Sequence, residues 1–243
     1  MIIKAISLVE IAFILLVSIT AYNNYKTGFK NGQTTNYGNL KEYPLLTNFT
    51  LNSAKELLTF NKHITMDQLF RESFWKNFAA AIDMFKNIIS ICPDATWQKE
   101  KKIFYMAYHT LLFLDYYLTI PVSSFHPLLP YTIVEPDQLP PEAIDDVFPD
   151  QFYPRNEMQT YIAAAREKCE KLIMQTPAEK FSERWIRSNE INRHGLCPAV
   201  VTDYNLLEIL FYNLRHIQHH VGQLNLLLRQ TANIAADWIA QSE

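Results

Sequence analysis

Glycine is scarce, with five in 243 residues, while Leu, Ala, Lys and Glu recur within periodic segments. That balance points to an all-α protein. Cysteine is equally sparse. Cys92, Cys169 and Cys197 are far apart and odd in number, which excludes a disulfide framework and a CxxC metal site. Buried or free thiols in a reducing compartment fit that pattern. Charge of one sign is lacking too: the net charge is −3, and no Lys/Arg stripe stands out. Sequence-driven binding to nucleic acid is therefore not expected. What the chain does have is apolar mass, 49% of its residues, enough for a substantial core.

Residues 1–22 are mostly apolar, with Lys4 as a short basic start and Ile11–Ala21 as long as a signal-peptide core. Glu10 interrupts the run, its length is marginal for one membrane span, and no clean small-x-small cleavage site follows. The segment reads either as a signal or membrane anchor or as an extra helix or extension outside the functional domain. Residues 23–62 are rich in Asn, Thr, Tyr and Lys and read as a linker, with one short helix around Ser53–Phe60. The expected division is therefore 1–62 as an N-terminal apolar segment and linker, and 63–243 as a helical domain.

In that domain the spacing predicts four long helices. The first begins near Asp67, capped by Thr65 or Asp67, and carries Phe70, Phe74, Phe78, Ile82, Phe85 and Ile89 until Pro93 ends it. Trp75 reads as core. The second runs from about Trp97 to Thr119 and is apolar nearly all round, so it belongs at the centre. His109 lies in its middle; Tyr116 shares its face, and Asp115 points elsewhere, to a helix-to-loop hydrogen bond. Residues 120–155 follow with eight prolines and an acidic run from Glu142 to Asp150. A connection of that length is often a wall or lid of a site. His126 precedes Pro127 and reads as an extended loop residue. The third helix starts at Asn156, with Gln159 completing a capping box, and stops before Pro177. His194-Gly195 reads as a turn. The fourth helix runs from Thr202 or Asp203 to about Thr231, and a terminal segment around Trp238 packs back on it. The expected fold class is a four-helix bundle with a long crossover connection and an extra N-terminal segment.

The stretch Asn213–Gln230 holds three of the seven histidines on a helix whose apolar residues recur three or four apart. His216 and His220 lie about 40° apart around that helix, so their imidazoles converge. His109 on the second helix supplies a third nitrogen. The expected ligands of a divalent metal are therefore His109, His216 and His220, an open set that leaves room for water or substrate. All-nitrogen ligation suits Zn, Ni, Fe or Cu without choosing among them. Asn213 and Gln223 share the stripe and are candidates to hold the free imidazole nitrogens or a bound water. His219 lies about 100° from His220, so it cannot point to the same metal. Its competing pairing with His216 is set aside for a place at the helix flank.

The segment His216-Ile-Gln-His-His220-Val-Gly-Gln223-Leu224 resembles the last-helix signature of the DinB-like (DinB/YfiT) superfamily, a His-x-x-x-His followed closely by Gly-Gln. Tyr108-His109-Thr110 with Phe113-Leu-Asp115-Tyr-Tyr117 is similar to its second-helix signature. The resemblance spans roughly residues 67–232. It implies an up-down-down-up bundle, a three-histidine divalent metal site and frequent homodimers. It also implies metal-dependent transferases and isomerases that use a low-molecular-weight thiol and a small electrophile. The Pro-rich segment 120–155 and the long N-terminus depart from the family pattern. No Glu adjoins the His pair, so the HExxH pattern and peptidase chemistry are disfavoured. The expected function is thiol-dependent S-transfer. The alternatives are a metal-dependent hydrolase, a non-catalytic metal-binding bundle linked to stress, and, least, histidines that only hydrogen-bond in a core. The expected location is cytoplasmic, with export or membrane anchoring as the alternative through residues 1–22.

Overall fold

The computed structural model describes residues 65–242. The expectations for residues 1–62, including the signal or anchor reading and the helix at Ser53–Phe60, lie outside them. No helix among the described residues is long and apolar enough to cross a membrane.

The described residues are all-α in class, with five α-helices and one small hairpin. Helix α1 spans Met66–Ile91. Its first turn is closed by Thr65, whose hydroxyl accepts from Gln68 N at 3.0 Å. Phe74, Phe78, Ile82, Phe85 and Ile89 are buried, as their spacing requires. Phe70 differs: it stays partly exposed and stacks on Phe74 at 5.7 Å. Trp75 is buried, with the Arg166 guanidinium 5.0 Å from its ring.

The second predicted helix is two helices. Helix α2, Asp94–Lys99, ends at Glu100, which leaves helical geometry at φ −87° and ψ 80°, and α3 follows at Lys101–Tyr117. The break has a packing reason. It turns the Trp97 indole edge-on to Phe104, with Nε1 donating to Tyr153 O at 3.2 Å. From Met106 to Tyr117 every residue of α3 is buried, which makes α3 the central helix.

Helix α4 spans Arg155–Gln175. The capping box expected at Asn156 and Gln159 does not form. Pro154 takes the cap position, and Gln159 donates instead to Ser90 Oγ on α1 at 2.8 Å. A capping box does close the start of helix α5, Leu206–Ala232, where Asn205 Oδ1 accepts from Glu208 N and Glu208 accepts from Asn205 N. Helix α5 therefore starts three or four residues later than expected, after a 3₁₀ turn at Ala199–Val201. It ends at Asn233, a left-handed cap at φ 55°.

The long helices pack α1 against α4 and α5, and α3 against α5 and α4. Asp115, expected to bond a loop, reaches α4 instead. It accepts from Tyr161 OH at 2.6 Å and pairs with Lys168 at 2.5 Å. Between α3 and α4 the Pro-rich connection carries a hairpin of β1, Tyr131–Ile133, and β2, Val147–Pro149. The strands are antiparallel, pairing Tyr131 with Pro149 and Ile133 with Val147. Strand β2 packs on α3. Tyr108 of α3 and Tyr153 both donate to Pro130 O, at 2.7 and 3.0 Å. Gly195 is in the turn expected of it, at φ 69°, where a Cβ would overlap Ile133 Cδ1 of β1. The C-terminal segment packs back through Ala236, whose N–H donates to Asn225 Oδ1 at 2.9 Å, while Trp238 is exposed. All three cysteines are free; Cys92 and Cys169 are buried, and burial raises the Cys92 thiol to about 11.

Candidate metal centre

Two helices build the site. The α3 position of His109 is fixed by the apolar surroundings of that helix, and the i, i+4 spacing on α5 stacks His216 and His220 on the face that meets α3. Across this contact the three imidazoles aim their Nε2 atoms at one another. His216 Nε2 is 3.1 Å from His109 Nε2 and 3.1 Å from His220 Nε2. Candidate ligand atoms of the three rings all lie within 4.8 Å of one another.

That spacing tests whether a metal fits. Two nitrogens each about 2.0–2.1 Å from one ion, at angles of about 90° to 109°, stand about 2.8–3.4 Å apart. The 3.1 Å separations fall inside that range. The donor chemistry agrees. His220 Nδ1 lies 2.8 Å from Gln223 Oε1, which can only accept, so Nδ1 carries the proton and the Nε2 lone pair faces the cluster. His216 Nδ1 is buried without a protein partner, whereas its Nε2 faces both other rings.

Electrostatics keep the α5 pair neutral. Burial first, then the neighbouring His109 and His220, push His216 down to about 2. Burial and His109 push His220 down to about 4, against the opposing effects of Gln223 and Asp145. Neutral imidazoles are the form that ligates a cation. Aromatic rings close the surroundings. Phe113 lies 4.7 Å from His109, Tyr117 stands edge-on to His216 at 6.2 Å, and Tyr212 lies parallel to His216 at 6.4 Å. Burial raises the Tyr117 phenol well above its ordinary range, so it stays a neutral hydroxyl.

The structure thus brings together His109, His216 and His220 and leaves the other described histidines out. His219 is exposed on the flank of α5. His126 is exposed on its loop, and His194 Nε2 faces Val122 O at 3.1 Å. Of the two amides on the stripe, Gln223 holds an imidazole, whereas Asn213 donates to Leu114 O at 3.0 Å and ties α5 to α3. Tyr116 packs against Phe125, Trp185 and His194, while its neighbour Tyr117 stands beside His216, as Tyr212 does.

One residue escaped the sequence. Asp145, in the connection between α3 and α4, places Oδ2 2.9 Å from His109 Nδ1. The approach is close but off the line of an N–H bond, so Nδ1 is left without a formal hydrogen bond. The acidic run from Glu142 to Asp150 was the available signal, but nothing in its spacing singles out Asp145.

Comparison with protein families, with curated proteins and with solved structures found no match.

Proposed function

We propose that this chain is a DinB-like four-helix bundle of α1, α3, α4 and α5 that holds one divalent metal, Zn, Ni or Fe, and joins a low-molecular-weight thiol through its sulfur to a small electrophile, the thiol giving up its proton. The observation that carries the reading is the convergence of three Nε2 atoms from His109, His216 and His220 at metal-ligand spacing. The packing of α1 on α4 and α5 and of α3 on both supports the bundle. When bound, a divalent metal supplies Lewis acidity that lowers the pKa of a coordinated thiol.

The chain's own residues supply the rest. Three imidazoles leave coordination positions for substrate, as a catalytic site requires. Gln223 fixes the His220 tautomer and so keeps that nitrogen available. Phe113, Tyr117 and Tyr212 line the centre with aromatic surface.

The test begins with metal content of the full-length chain by elemental analysis. About one divalent ion per chain is expected, lost in His109→Ala, His216→Ala and His220→Ala and kept in His219→Ala. A screen of small thiols against electrophiles on the loaded protein follows. Failure of the wild-type chain to take up Zn, Ni or Fe would overturn the metal reading. A loaded protein that consumes no thiol would overturn the transferase reading alone.

A further inference from the structure

Resting on the metal reading above, we infer that Asp145 is the positioning residue of His109 and the latch through which the β1–β2 hairpin and the metal centre order each other. His109 turns Nε2 to the other two histidines and Nδ1 to Asp145. The carboxylate is therefore on the far side of the ring from the cluster, and it acts on the metal only through the imidazole. A carboxylate at that place orients the ring, holds the proton on Nδ1 and makes Nε2 a stronger donor. Gln223 does the same for His220 from α5 itself. Asp145 does it from a different element, and that difference gives the contact its second consequence.

The other oxygen of Asp145 belongs to the hairpin. Oδ1 accepts from Val147 N at 3.2 Å, at the start of β2. Beside it, Val134 N donates to Asp146 O at 2.9 Å, just beyond β1. Thr132 Oγ1 on β1 donates to Asp150 Oδ1 at 2.6 Å, and Tyr131 OH donates to His194 O at 2.9 Å. One carboxylate thus joins the strand register to the imidazole of α3. The Asp145 side chain is 29% exposed, against 10% for His109, so the contact lies at the rim of the centre, where a wall can move. Alignment of Nδ1–H on Oδ2, incomplete as it stands, is the adjustment that a metal pulling on Nε2 would draw in.

Asp145→Asn separates the two roles of the carboxylate. Its remaining oxygen still serves Val147 N, while its amide sets N–H donors against the Nδ1–H of His109. Asp146→Asn is the control, because it removes the same charge from an exposed neighbour without touching the imidazole. Zinc affinity of the full-length proteins is measured by competition with a chelating dye, the His109 tautomer by ¹⁵N NMR, and amide exchange over residues 131–149 with and without zinc.

Asp145→Asn is expected to bind zinc about 10- to 100-fold more weakly, as loss of such partners usually costs. It should also shift the His109 nitrogen signals and abolish the slowing of exchange that zinc confers on the wild-type hairpin. Asp146→Asn should match wild type in all three. Wild-type zinc affinity and hairpin protection in Asp145→Asn would overturn the inference while leaving the metal centre standing. Equal weakening in both variants would overturn it too, by reducing Asp145 to one charge among several. A wild-type chain that takes up none of Zn, Ni or Fe would overturn the metal reading and the inference together.

Discussion

At the scale of the residue, the histidines of α5 behave as bases held away from their protons. His216 and His220 titrate near 2 and 4 in the fold, against 6.5 for a free imidazole. As pH falls below about 6.5, the unfolded chain takes up protons that the folded chain refuses, so stability is lost with falling pH through that window. The metal-free protein, kept so by chelator, should show a lower denaturant midpoint at pH 5 than at pH 7.5. His216→Leu should flatten that dependence. Equal midpoints for wild type at the two pH values would count against the burial that depresses these groups. The pairing of His216 with His220 was legible because helical spacing alone brings them together. His109 needed a second inference, that an incomplete pair calls for a third nitrogen from an apolar helix. Asp145 was illegible, because only the hairpin register selects it from among its acidic neighbours.

At the scale of the element, the periodic interiors of the helices could be read from the sequence and their ends only in part: Thr65 caps α1 as expected, whereas the starts of α4 and α5 differ. The apolar stripe of α1 and the unbroken burial of α3 from Met106 to Tyr117 follow from residue type at fixed spacing. Caps depend on where the backbone leaves helical geometry, and tertiary contacts decide that. Asn156 with Gln159 has the composition of a capping box, yet Pro154 already occupies the turn and Ser90 takes the Gln159 amide. Asn205 with Glu208 has the same pattern and uses it. The contrast can be measured. Asn205→Ala should cost about 1 kcal/mol of unfolding free energy. Asn156→Ala should stay within about 0.5 kcal/mol of wild type, as exposed positions without a special role do. Equal costs at the two positions would mean that Asn156 also caps its helix in solution. The break at Glu100 belongs to the same lesson, because apolar periodicity runs through it and only the docking of Trp97 on Phe104 and Tyr153 requires it.

At the scale of the whole molecule, the chain order of the candidate ligands has a mechanical consequence. His216 and His220 are neighbours on one helix, whereas His109 is 107 residues from His216 along the chain. An ion shared among them is a removable cross-link that closes a long loop of polypeptide. Closing such a loop costs entropy that grows only slowly with its length, so a clip between distant points restrains the unfolded chain strongly. Zinc should therefore slow unfolding when the full-length protein is diluted into denaturant, and an excess of chelator should restore the faster rate. His109→Ala should lose the zinc effect even though the α5 pair survives, because a pair within one helix closes no loop. Equal slowing in that variant would place the grip of the metal within α5 alone. Resistance to unravelling would then be set by the supply of free metal around the protein as much as by its apolar core.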